Sequence, residues 1–219
     1  MFGIFRKRKR ARTNEVAADG PPATAPGWDA IEAAFERLYP GQVARIWEHH
    51  GVHRMHDLSN PPVNPLEAVR IYDGGTFWHY VSFGLSDLYR KESADEWSGF
   101  GYELTFRVWK APGDEDPPLW PVSVMVSLAA ARYTAEDYAA GDTVKTGPLD
   151  GRPECRQTAL LIAEDPGFKV LETPFGKLVF LQLVGVEAET RERALRLGLR
   201  SVIDELRFSN PDLVTRLTT

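Results

Sequence analysis

The chain has 219 residues, 43% hydrophobic and 26% charged, which suits one large globular domain or two small ones. A single cysteine, Cys155, excludes an internal disulfide, and no apolar run reaches the ~20 residues that span a bilayer. Six of the 26 basic residues (Arg6, Lys7, Arg8, Lys9, Arg10 and Arg12) fall in the first twelve positions. Without them 20 bases face 31 acids, a formal −11 against −5 for the whole chain, which disfavours nucleic acid and anionic membrane as partners and favours basic polypeptides.

Residues 1–27 are expected to form a basic, disordered tail and linker ahead of a domain over 28–219, because Gly20-Pro-Pro-Ala-Thr-Ala-Pro-Gly27 has no periodicity. Met1-Phe-Gly-Ile-Phe5 is too short for the apolar core of a secretion signal, so a cytoplasmic location is expected. Trp28, Ile31, Phe35 and Leu38 predict a helix that Pro40-Gly41 ends. Gln42 to Pro65 gives no clear pattern. Strands are predicted over Leu66–Tyr72, Phe77–Leu85 and Tyr102–Trp109. In the second, Phe77, His79, Val81, Phe83 and Leu85 share one face, with Trp78, Tyr80 and Ser82 on the other. Leu119–Tyr133 reads as a helix with Pro121 in its first turn, Thr158–Ala163 and Leu178–Val184 as strands, and Glu187–Arg207 as one long helix. Helices flanking mostly adjacent strands predict an α+β fold, helices packed on a mixed, mostly antiparallel sheet.

Few constellations carry chemistry. His49, His53 and His56, helically spaced, would bring three imidazoles together, and a metal-dependent hydrolase is the alternative they raise. The glutamate that a zinc-hydrolase helix places between its histidines is absent, and Gly51 interrupts the segment. His79 would need an orienting carboxylate and a nucleophile; Glu103, Ser82 and Ser86 are the nearest candidates, without a nucleophile-elbow pattern. A buried, hydrogen-bonded structural histidine is the expectation. Cys155, between Arg152 and Arg156, lacks a histidine partner and is read as structural. Asp87, Glu92, Asp95 and Glu96 interleave with Tyr89 and Trp97, a combination of steering charge and aromatic anchors that suits a protein interface.

Phe77-Trp-His-Tyr-Val-Ser-Phe-Gly-Leu-Ser-Asp-Leu-Tyr89 and Ser98-Gly-Phe-Gly-Tyr-Glu-Leu-Thr-Phe106 resemble the core of the suppressor-of-fused domain. Arg37-Leu-Tyr-Pro-Gly41, Trp120-Pro121, Pro148-Leu-Asp150, Glu164-Asp-Pro166, Thr173-Pro-Phe-Gly176 and Phe180–Val186 extend the resemblance in the right order. It implies an α/β sandwich without enzymatic activity or cofactor. Animal members restrain zinc-finger transcription factors by clamping a peptide between two domains; bacterial single-domain members look like immunity proteins that neutralise toxins. The family's peptide contacts carry over to Tyr89 and Asp95, and with Asp87 and Trp97 these form the expected partner-binding set. The implied partner is a basic toxin domain or another basic polypeptide, and a regulatory adaptor that restrains a basic DNA-binding protein is the further alternative. Pro61-Pro-Val-Asn-Pro-Leu-Glu67 departs from the family's Gly-Gly-Pro-Asp-Pro-Leu-Asp. With the chain ending at Thr219 before any second domain, a one-sided surface or a sheet edge is expected instead of a clamp.

Overall fold

The computed structural model describes residues 24–48, 64–132 and 137–219. The basic tail, His49, His53, His56 and Tyr133 lie outside the described residues. Twelve elements are described: α1 (Pro26–Leu38), β1 (Arg45–Glu48), β2 (Ala68–Asp73), β3 (Phe77–Phe83), β4 (Trp97–Trp109), α2 (Trp120–Ala131), β5 (Thr143–Lys145), β6 (Gln157–Glu164), β7 (Leu171–Thr173), β8 (Gly176–Glu187), α3 (Ala188–Leu197) and α4 (Leu199–Ser209).

The strands form one sheet in the order β1-β2-β3-β4-β8-β6-β5, with β7 added to β8. Among the described strand pairs only β4–β8 is parallel, so the sheet is mixed and mostly antiparallel, as predicted. Helices cover both faces. The α2 side chains Val122, Met125, Leu128 and Ala129 pack with Trp78, Tyr80, Leu104, Phe106, Leu181 and Leu183. Opposite, α1 lays Ile31, Ala34 and Phe35 on Val81, Phe83, Leu178 and Phe180. On that same face α3 and α4 set Ala194, Val202 and Ile203 against β6 and β8.

Two sequence readings change. The long C-terminal helix breaks at Gly198, whose φ of 88° and ψ of 136° lie outside helical space, and Leu195 is exposed. Leu85 leaves the face it was assigned. The strand ends at Phe83, Gly84 adopts φ +122°, and Leu85 joins the α2-side core. The polar alternate residues of β4 are buried: Glu103, Thr105 and Arg107 face the α1 side with almost no exposure. There they run between the α1 core and the α3/α4 core.

Candidate functional site

Hydrogen-bond demand explains the first part of that polar seam. Once Gly84 ends β3, the amides of Gly84, Leu85 and Ser86 have no ladder partner, and buried amides left unpaired are costly. Glu103, fully buried, supplies the acceptor: its Oε1 takes those three N–H groups at 3.1, 3.1 and 2.8 Å and the Ser86 hydroxyl at 2.7 Å, while Ser82 Oγ donates to Oε2 at 2.5 Å. Burial pushes the Glu103 carboxyl up to about 7 against the pull of these donors.

The loop continues pinned. Asp87 N–H donates to Ser98 Oγ at 2.9 Å, Phe100 N–H donates to Leu85 O at 2.8 Å, and Gly27 N–H donates to Leu88 O at 2.9 Å. Gly27 must lack a side chain, because a Cβ would lie 2.1 Å from Asp87 O. Tyr89 then donates its hydroxyl to Glu67 Oε2 at 2.5 Å.

The four residues assigned to partner binding are placed differently by this geometry. Asp87 is only 6% exposed, and its Oδ2 accepts the Glu92 amide at 3.4 Å, so it holds the loop from inside. Desolvation raises its pKa. Tyr89, Asp95 and Trp97 are half-buried, and Arg90 to Ala94 and Glu96 are exposed. Trp97, first in β4, leans over Gly101. Lys91 donates to Trp97 O at 3.1 Å and to Phe175 O, and Lys177 pairs with Glu96 at 3.4 Å, tying the 90–96 loop to the β7–β8 turn. Arg90 and Lys91 offset half of the four acids between Asp87 and Trp97, so the stretch is less acidic than its carboxylates alone suggest.

The second part of the seam centres on His79. Its orienting carboxylate is Asp165, not Glu103: Nε2 lies 3.2 Å from Asp165 Oδ2, and Nδ1 lies 2.8 Å from the Tyr39 hydroxyl. Asp165 also accepts from Thr105 at 2.7 Å, from Arg107 at 2.7 Å and from the Gly167 amide at 2.8 Å. Arg107 in turn reaches Asp212 Oδ1 at 2.8 Å. Complete burial lowers the His79 pKa despite Asp165, so the imidazole is neutral, donating from Nε2 and accepting at Nδ1. Burial raises the Tyr39 pKa, so that hydroxyl is not an activated nucleophile. The carboxylate–imidazole–hydroxyl series is therefore a satisfied polar core, as expected for His79, though through partners the sequence did not indicate. Asp-Pro after a strand was the available signal, and nothing in it pointed to His79. Cys155 is buried with its thiol 3.6 Å from Gln157 O. Among the described residues, no three His, Cys, Asp or Glu side chains converge as a metal site, and no helix is long and apolar enough to cross a membrane.

Helices packed on both faces of a mixed sheet form a fold shared with known proteins. The suppressor of fused protein (SUFU) family model matches residues 62–218, and the chain belongs to that family. It is 35% identical over 205 residues to the human and mouse suppressor of fused homologues, covering 83% of this chain but only 40% of theirs. The crystal structure of Drosophila Suppressor of Fused is similar with a TM-score of 0.78 and 28% identity, over 91% of this chain and 52% of that one. A chain of the Sufu–Fu complex crystal structure matches with a TM-score of 0.77 and 28% identity, over 89% of this chain and 91% of that one. A suppressor-of-fused homologue from Neisseria gonorrhoeae shares the fold, with a TM-score of 0.53 and 14% identity over 85% of this chain and 91% of that one.

Proposed function

We propose that the chain is a non-enzymatic, cytoplasmic protein-binding module, acting as a bacterial immunity protein that occludes a basic toxin domain. The observation that carries this reading is the preorganised loop from Gly84 to Tyr89. Five donors converge on Glu103 and fix the backbone before any partner arrives, so little ordering entropy remains to be lost on binding. Tyr89 and Trp97 are the aromatic anchors and Asp95 the steering charge, while Asp87 positions the loop. The Sufu–Fu complex supports the reading: its matched chain is covered almost completely by this one, so a domain of this extent takes part in a protein complex there. The acidic body would accelerate capture of a basic partner.

The test is co-expression with the polypeptides encoded beside it, followed by affinity capture. A toxin domain should co-purify in stoichiometric amount and lose its activity. Asp95→Lys with Glu96→Lys should weaken capture by roughly tenfold at low salt and much less at 0.5 M salt. Tyr89→Ala should weaken it at both. Binding unchanged by all three substitutions would move the interface elsewhere, and absence of any captured polypeptide would remove the immunity reading.

A further inference from the structure

A cleft of about 400 Å³ opens beside the His79 network, lined by Leu38, Tyr39, Phe77, Arg107, Pro166 and Pro211, with Asp212 at its mouth. It lies near the β3–β4 position where His79 pairs with Arg107, roughly 30 Å along β4 from Trp97, given about 3.3 Å per strand residue. It is therefore separate from the Tyr89–Trp97 loop.

Its charge is not balanced. Arg107 is shared between Asp165 and Asp212, so two carboxylates face one guanidinium. Asp165 is sealed in the core, whereas the Asp212 side chain is 56% exposed. The surplus negative charge therefore meets solvent at Asp212. Oδ1 of Asp212 is taken by Arg107, and its second oxygen has no donor among the described residues. Arg107, with its side chain only 4% exposed, keeps a buried Nε that has no acceptor among the described residues. The open end of the cleft, where Asp212 meets solvent, thus suits a cation.

The backbone that carries Asp212 is held in place by its own turn. Leu213, fully buried, adopts φ +50°, the one positive value outside glycine among the described residues. Asn210 brackets the turn through two 2.9 Å bonds with Val214, and Gln182 Nε2 donates to Asp212 O at 2.8 Å and to Leu213 O at 3.2 Å. Leu38, Phe77, Pro166 and Pro211 supply apolar walls for an aliphatic stem. A smaller cleft of about 260 Å³ adjoins through Leu38 and Gly167 and is flanked by Arg37 and Lys169, so the opposite end of the trough repels a cation.

We propose that this cleft is a second binding site, which takes a basic side chain of a polypeptide, its charged head on Asp212 and its stem on Leu38, Phe77 and Pro211. The site stands whether or not occlusion of a toxin is the biological task.

Amide NMR titration of the full chain with Nα-acetyl-arginine methylamide tests it, with the citrulline analogue as the uncharged probe of the same shape. The arginine probe should shift the amides of Phe77, Gly167, Asp212 and Leu213 saturably, and citrulline should bind roughly tenfold more weakly, the loss of one charge-assisted hydrogen bond. Asp212→Asn should impose a similar loss. Equal response to the two probes overturns the site, and that comparison needs no variant. So do undiminished shifts in Asp212→Asn, or shifts confined to residues 89–97.

Discussion

Replacing Glu103 by glutamine tests the central electrostatic claim about the loop. Burial raises the folded-state pKa of Glu103 from 4.5 to about 7. Between these values the folded chain holds a proton that the unfolded chain has released, so raising the pH destabilises the fold. The contribution is fully present below pH 4.5 and is lost as pH rises through 7, by about 3 kcal/mol at 1.36 kcal/mol per pH unit. Protonated glutamic acid and glutamine both present a hydrogen to Ser82 Oγ and keep Oε1 for the loop amides. The two proteins should therefore be nearly equal at pH 4.5, and Glu103→Gln should be the more stable by about 3 kcal/mol at pH 8. His79 works in the opposite sense: its folded pKa is depressed, so its contribution falls away as pH drops below the unfolded value of 6.5. Because His79 is unchanged in the variant, the difference between the proteins isolates Glu103. Urea unfolding followed by tryptophan fluorescence at pH 4.5, 6, 7 and 8 provides the measurement, and about 3 kcal/mol moves the midpoint by roughly 1–2 M. If the five donors keep the carboxylate ionised throughout, glutamine will be the less stable at every pH, and a pH-independent difference refutes the reasoning.

Two further outcomes follow from the same geometry. Gly84→Ala places a Cβ 2.1 Å from Pro65 O and 2.9 Å from Glu67 N, so it should lower unfolding stability by roughly 3 kcal/mol or more, whereas Gly41→Ala, with φ +69° but open space, should cost about 1–2 kcal/mol in the same urea assay. Asp165→Ala strips His79, Thr105 and Arg107 of their shared acceptor and should cost about 3–5 kcal/mol, while Asp212→Asn, at the solvent-exposed end of the network, should stay within about 1 kcal/mol; thermal melts of the two variants should separate accordingly.

Local pattern was enough where one face of an element is apolar. Ile31 and Phe35 in α1, the alternation of β3, and the apolar strands β6 and β8 follow from periodicity, because each must bury a repeating set of side chains. The short strands β1, β5 and β7 carry too few residues for a period to emerge, and they exist through pairing with β2, β6 and β8. The apolar period of the C-terminal segment runs through Gly198 and so did not mark the break there.

The candidate sites divide in the same way. The sequence by itself determined the family, the acidic body and the aromatic–acidic stretch around Tyr89, because these are properties of residue order and composition. It could not tell that Asp87 turns inward while Tyr89 and Asp95 remain half-exposed, since a loop residue's direction depends on which amides need an acceptor. Glu103 and Arg107 alternate with apolar residues along their strand, and only the tertiary structure shows that their side is dry. His79, Asp165 and Asp212 are far apart in sequence, and the order of strands brings them together. Tertiary structure alone decided the charge surplus at Asp212 and the site proposed there, because net charge in a buried network depends on which groups share it and which one meets water.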